Sequence, residues 1–176
     1  MNAYFSVLLF FQSAPMVEPS TEENIIEIIE EKPDPVTGEF AVDPYTQSNA
    51  NAGARPFKAD GTAEDFGGKA GIRRITDRLV DLSIEDKRIS DIFKGHDLVR
   101  LRRTLFEQFC YILNAGCDYT GRDMRTTHAN MGLERDDLNA LVEHLQTAMA
   151  EQQVPFSVQN RLLAKLAPME KDVLQK

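Results

Sequence analysis

Tyr119-Thr-Gly-Arg-Asp-Met-Arg-Thr-Thr-His128 is the stretch that decides how this chain is read. Gly121 supplies a turn where a side chain would clash. A helix is expected to start after it, with Asp123 in the first turn, where a carboxylate meets the partial positive charge of a helix N-terminus. Met124 and His128 are four residues apart, so they share one face of that helix. A thioether and an imidazole on one face suit an apolar wall that carries a metal ligand. Alone the pattern is weak, because a histidine on a short helix is more often a solvated or core residue.

The surroundings of this stretch are helical. Upstream, Ile72, Ile75 and Leu79 recur at helical spacing beside Val80 and Leu82. A cleaner run follows in Leu98, Leu101, Leu105, Phe109 and Ile112, with Arg100, Arg102 and Arg103 off the stripe. It stops at Asn114-Ala-Gly116, where a left-handed helix end is expected. The His128 helix comes next, with Gly132 as its stop. Leu138, Leu141, Leu145 and Ala148 make a third stripe, and Leu162, Leu166, Met169 and Val173 a fourth, with Pro168 as a kink point. No stretch alternates with period two, so the class is all-α.

Further out, the chain changes character. The first 66 residues hold 12 acidic and 3 basic side chains, out of 28 and 20 in the whole chain, so the remainder is almost neutral. That remainder is long enough to bury a core, and with no basic block it is not a nucleic-acid binder. Residues 1–16 contain the apolar run Tyr4 to Phe11, too short for a membrane-spanning helix. With Ser13-Ala14 behind it, the run is similar to a partial secretory signal that lacks a basic start. Export to the periplasm is therefore the expectation, with the cytoplasm as its alternative. Residues 17–63 are read as an acidic, disordered linker. A short helix over Glu22 to Lys32 is stopped by Pro33 and Pro35, and turn-rich sequence follows it. Residues 64–176 form the body. Cys110 and Cys117 are inert thiols or one disulfide, according to compartment. One unbroken helix would hold them about 10.5 Å apart, beyond the roughly 7 Å that a bridge tolerates. The break at Asn114–Gly116 would fold them together if the protein is exported.

Phe66-Gly67-Gly68, Ile92-Phe93-Lys94-Gly95 and Tyr119-Thr-Gly-Arg-Asp-Met124 with His128 occur in the order and spacing of group I truncated haemoglobins, and Gly132-Leu133, Leu138 and Leu162 to Pro168 continue the pattern. The body resembles that family from Gly67 to Val173 without a gap, and residues 1–60 do not take part. The resemblance implies a shortened globin fold, two helices packed across two, around one haem b (iron protoporphyrin IX) held without covalent attachment. By position, His128 would be the iron ligand and Phe93 the aromatic packed on the porphyrin. Met124, Leu138, Leu141, Leu162 and Leu166 would line the proximal and inner pocket. Val80, Leu98, Leu101 and Leu105 would belong to the distal side, with Phe109 and Ile112 deeper and Tyr119 at the haem edge. The cluster Arg100, Arg102, Arg103 and His96 would meet the haem propionates.

Two departures from the family pattern stand out. Many group I members carry a Tyr in the first long helix and a polar residue in the distal helix to hydrogen-bond the gas ligand. Here those positions are Val80, Leu105 and Leu101, and none of them donates. Asn114-Ala115 also replaces a usual pair of glycines. The expected function is reversible binding of a diatomic gas (O2, CO or NO), with a reductase as a further partner. The alternative is a haem redox or electron-transfer protein in which a second side chain, His96, takes the sixth position. No triad, carboxylate pair or phosphate loop points to a cofactor-free enzyme. Nitric oxide dioxygenation or a peroxidase-like side activity is compatible with such a pocket but is not written in the residues.

Overall fold

The computed structural model describes residues 32–58 and 61–174. The signal-like segment and the acidic helix expected up to Lys32 lie outside them, apart from Lys32 itself. The described body is helical: α1 (Thr62–Asp65), α2 (Gly68–Glu85), α3 (Leu98–Ile112), α4 (Met124–His128), α5 (Arg135–Glu151), α6 (Phe156–Leu166) and α7 (Glu170–Val173). Short 3-10 turns occupy Asn49–Ala52, Ser90–Phe93 and Ala167–Met169. The four apolar stripes seen in the sequence are the inner faces of α2, α3, α5 and of α6 with its continuation. Helix α2 packs on both α3 and α5, and α5 on α6, which is the expected arrangement of two helices across two. Ile72, Ile75, Leu79, Phe109, Ile112, Leu145 and Leu162 meet in one buried core.

The helices begin and end where backbone chemistry allows. Gly67 and Gly68 both have positive φ, 74° and 61°, and form the corner that leads into α2. Asp97 caps α3 by accepting the Arg100 N–H at 2.9 Å. Asn114 at φ 59° ends that helix as expected. Its left-handed turn lets the Ala115 N–H reach the Cys110 carbonyl at 2.9 Å. That fold brings the Cα atoms of Cys110 and Cys117 to 5.6 Å, and the two are joined as a disulfide. Pro168 sits in the 3-10 turn that breaks the last stripe into α6 and α7.

One part of the chain departs from expectation. The segment 17–63 is expected as a disordered linker, yet its residues 33–58 lie against the body. Asp34 holds a turn by accepting the amides of Val36 and Thr37 at 2.9 and 2.8 Å. Glu39 is buried in an ion pair with Arg103. The Tyr45 hydroxyl donates to the Thr120 carbonyl at 2.8 Å, and Asn51 donates to the Gly121 carbonyl at 3.1 Å. Ala52 is fully buried, and the Phe57 amide donates to the Ile112 carbonyl at 2.8 Å. Polar and backbone bonds hold this segment down, so no apolar period announces it.

Candidate functional site

The short helix α4 is built as its sequence suggests, with small shifts. Asp123 stands one residue before the helix as its cap, accepting the Thr126 N–H at 3.0 Å and the Thr126 hydroxyl at 2.7 Å. The helix ends at His128 through Ala129 and a left-handed Asn130, earlier than the expected stop at Gly132. Gly121 is required sterically: a Cβ there would lie 2.2 Å from the Tyr119 hydroxyl and 2.4 Å from its ring. Tyr119 is buried, donates to the Arg122 carbonyl at 2.9 Å, and is pushed up to about 12 by its burial.

His128 carries the chemistry. Its Nδ1 lies 2.7 Å from the Met124 carbonyl. A carbonyl only accepts, so Nδ1 carries the proton and Nε2 keeps its lone pair. Burial lowers the imidazole pKa, partly opposed by that hydrogen bond, so the neutral ring is favoured. A neutral, tautomer-fixed imidazole is a ready ligand for iron.

This ring faces a cavity of about 290 Å³. Phe93, Ile89 and Ile92 line it from the turn before α3, Leu101 and Leu105 from α3, and Leu138 and Leu141 from α5. Met131 and Leu133 follow His128 on the wall, and Val173 and Leu174 close it from the C-terminal end. Polar groups gather at His96, Asp97, Arg100, Thr104, Thr127 and Asp137. The Thr104 hydroxyl is already turned to the Arg100 and Leu101 carbonyls at 2.9 and 3.2 Å. The buried Nε of Arg100 has no hydrogen-bond partner and lies 3.6 Å from Asp97 Oδ2. An apolar slot, one open imidazole nitrogen and a cation with a spare donor fit a haem with its carboxylate tails.

Of the expected site residues, the structure brings together His128, Phe93, His96, Leu101, Leu105, Leu138 and Leu141 on this cavity. The others stand elsewhere. Phe109, Ile112 and Leu162 belong to the buried core, and Met124 and Leu166 pack against it. Val80 is buried on α2, away from the lining. Leu98 and Tyr119 are likewise off the lining. Arg102 is drawn to Asp81, 2.5 Å away, and to the Asp77 carbonyl, so it does not reach the cavity. Arg103 is taken by Glu39, Glu107 and Thr120. Of the arginine cluster, Arg100 alone lines the cavity. Ile89, Met131 and Leu174 also line the cavity, in turns or at a chain end where no sequence period marks them.

The remaining histidine is structural. His144 is buried on α5 between Ser83 Oγ at 3.2 Å and Asp86 Oδ2 at 3.0 Å. The Ser83 hydroxyl donates to the Leu79 carbonyl at 2.7 Å and is itself buried, so this trio ties α5 to α2 and offers no accessible nucleophile.

Comparison with known proteins agrees with the geometry. Residues 63–175 match the family described as bacterial-like globin. The group 1 truncated haemoglobin of Nostoc commune is 27% identical over 113 residues, 64% of this chain and 96% of that protein. That of Mycolicibacterium paratuberculosis is 23% identical, over 61% of this chain and 79% of its own. The truncated haemoglobin of Tetrahymena pyriformis in its Fe(III) form superposes with a TM-score of 0.63 at 23% identity, covering 65% of this chain and 98% of that one. The 2/2 haemoglobin of Synechococcus sp. PCC 7002, in the cyanomet state with covalently attached haem, gives 0.60 at 21% identity over 65% and 98%. The chain belongs to the bacterial-like globins, its residues 63–175 forming a group 1 truncated haemoglobin domain that follows an N-terminal extension.

Proposed function

We propose that this protein holds one b-type haem through His128 and binds a diatomic gas reversibly beside it. The observation that carries the proposal is the neutral imidazole of His128, fixed by the Met124 carbonyl, on the wall of an apolar cavity. Bound there, haem iron supplies the coordination chemistry that captures O2, CO or NO. The residues supply the rest. His128 offers Nε2, Phe93 and the leucines exclude water, and Arg100 and His96 offer charge or hydrogen bonds to the propionates. Cys110 and Cys117 are bonded to each other and lie off the cavity lining, which supports non-covalent attachment. The same bridge supports an oxidising compartment for the chain. No described helix is long and apolar enough to cross a membrane.

The test is an optical spectrum of the ferric, ferrous and ferrous-CO forms, with His128→Ala beside the parent. The variant should lose haem, or regain it only with added imidazole. A variant that keeps the parent's ferrous spectrum removes His128 from the role. A second reading, a redox or electron-transfer protein, is favoured by one observation: His96 lines the same cavity. It requires a six-coordinate ferrous spectrum in the parent that His96→Ala converts to five-coordinate.

A further inference from the structure

The segment ahead of the family match touches the cavity rim at one end and the residue that orients His128 at the other. At one end, Glu39 grips Arg103 through both carboxylate oxygens and lies 3.3 Å from Arg100. The Phe40 amide donates to Asp97 Oδ2 at 2.9 Å, and Arg100 donates back to the Phe40 carbonyl. Asp97 and Arg100 are cavity residues. At the other end, the Ala52 carbonyl accepts a hydrogen bond from the buried Gln108 amide at 2.9 Å, and that amide also lies 3.4 Å from Met124 Sδ. Gly53 has φ 80°, and a Cβ on it would lie 3.2 Å from Met124 Cγ and 3.0 Å from Met169 Sδ. Met124 is the residue whose carbonyl fixes His128. Between the two ends, Asn49 accepts the Tyr119 amide at 2.7 Å and Asn51 donates to the Gly121 carbonyl, so the lead-in to α4 is bound as well.

We infer that residues 39–53 are a haem-positioning strap, in which Glu39 sets Arg100 at the cavity rim and the Ala52-Gly53 turn sets the seat of His128. The inference rests on the haem reading above. Preorganisation gives the strap its effect. A free arginine samples many rotamers and loses that freedom when it meets an anion. Here Glu39 and the Phe40 carbonyl already restrain the guanidinium, while its buried Nε keeps an unused donor. A carboxylate arriving at the rim finds that donor in place. Behind His128, the Met124 side chain lies against the strap and Gln108, so a shift of the strap presses on the residue whose carbonyl orients His128. Glu39, Ala52 and Gly53 touch neither ligand nor iron; they are positioning residues.

The test uses the full-length haem-loaded protein, after the parent has been shown to take up haem. A parent that takes up none rejects the haem reading, a failure separate from that of the strap. Glu39→Gln keeps the shape and removes the charge. It should speed haem transfer to an excess of apoprotein acceptor about tenfold, the scale of one charge-assisted contact, and leave the ferrous iron–histidine stretching band in place. Gly53→Ala should shift that band, because the added methyl presses on Met124. Thermal midpoints are recorded alongside. Parent-like haem transfer and a parent-like band in both variants, whatever their melting points, would mean that the strap only stabilises the fold. If either variant fails to fold, hydrogen exchange on the parent decides. Amides of 39–53 should gain more protection on haem uptake than those of α6, as reciprocal coupling demands; an equal or smaller gain overturns the inference.

Discussion

Leu101 and Leu105 line the α3 side of the cavity, where the gas ligand proposed above would bind. Neither donates a hydrogen bond, and the nearby Thr104 hydroxyl is committed to backbone carbonyls. A bound oxygen molecule carries partial negative charge and gains from a donor; carbon monoxide gains little. A hydrogen bond to a charged group contributes about 1.5–3 kcal/mol, and affinity changes of this kind appear mostly in the release rate. Leu105→Gln should therefore slow oxygen release roughly tenfold or more while changing carbon monoxide release much less. Stopped-flow measurement decides it; a parent that already releases oxygen as slowly, and faster after His96→Ala, would show that His96 supplies the donor. Val80, which the family register assigns to the same role, is 1% exposed in the core. Val80→Tyr should overpack α2 and cost about 1–3 kcal/mol. The distinction was invisible in sequence, because register fixes the helix face and not the depth of the cavity behind it. Glu39 makes a separate, pH-dependent prediction. Its pKa is lowered, chiefly by the Arg103 guanidinium beside it. A carboxylate with a depressed folded pKa stabilises fully above its usual range, and that contribution is lost as pH falls through the folded value. Melting temperature should thus decline less steeply with acid in Glu39→Gln than in the parent, and identical slopes would deny Glu39 that share.

At the scale of elements, the α3–α4 connection carries the clearest prediction. Asn114 turns the chain and the disulfide pins Cys117 beneath the end of α3, just before Tyr119 and the cap of α4. A loop this short contributes about 2 kcal/mol by the chain-entropy estimate. For a chain of this size Cys117→Ser should lower the melting temperature by roughly 5 °C. Thiol labelling of unfolded, unreduced protein should modify neither cysteine; labelling of both would refute the bridge. The long helices were legible because each buries one stripe, and burial imposes a 3.6-residue period on the sequence. The short elements were not. Helix α4 has five residues, too few for a period to repeat, and its limits are set by the Asp123 cap and a left-handed Asn130. The cavity inherits the same division. Leu101, Leu105, Leu138 and Leu141 belong to stripes and could be named in advance. Ile89 and Met131 belong to turns, and only the folded chain shows where they face.

The described molecule is a truncated globin domain with residues 33–58 bound against it, and that segment is where sequence and structure part. Acidic, turn-rich composition reads as a disordered linker. In the fold, residues 33–58 are held to the body by side-chain hydrogen bonds that span 56 to 79 positions, such as Gln108 to the Ala52 carbonyl and Arg122 to the Asp43 carbonyl. Contacts so distant and so polar leave no local pattern to read. A chain beginning at Gly61 tests what they contribute. All of its cavity-lining residues fall between Ile89 and Leu174, so it should still take up haem. It should do so less well. The buried Gln108 amide would lose the Ala52 carbonyl, at a cost of about 1–3 kcal/mol for an unsatisfied buried group. Arg103 and Arg100 would lose Glu39, though Glu107 would still hold Arg103. Against these losses stands the ordering entropy that the shortened chain no longer has to overcome. The balance is therefore expected in haem retention more than in folding: a modestly lower melting temperature, with haem lost several-fold faster than from the full chain. Two observations are needed together, the apoprotein melting curve and the haem-transfer rate. If truncation lowers the melting temperature but leaves the transfer rate alone, the extension serves the fold only. If it leaves both unchanged, the contacts of residues 33–58 contribute nothing measurable. A faster transfer rate at a nearly constant melting temperature would show that the extension acts on the haem site itself, through Arg100 at the rim and Met124 behind His128.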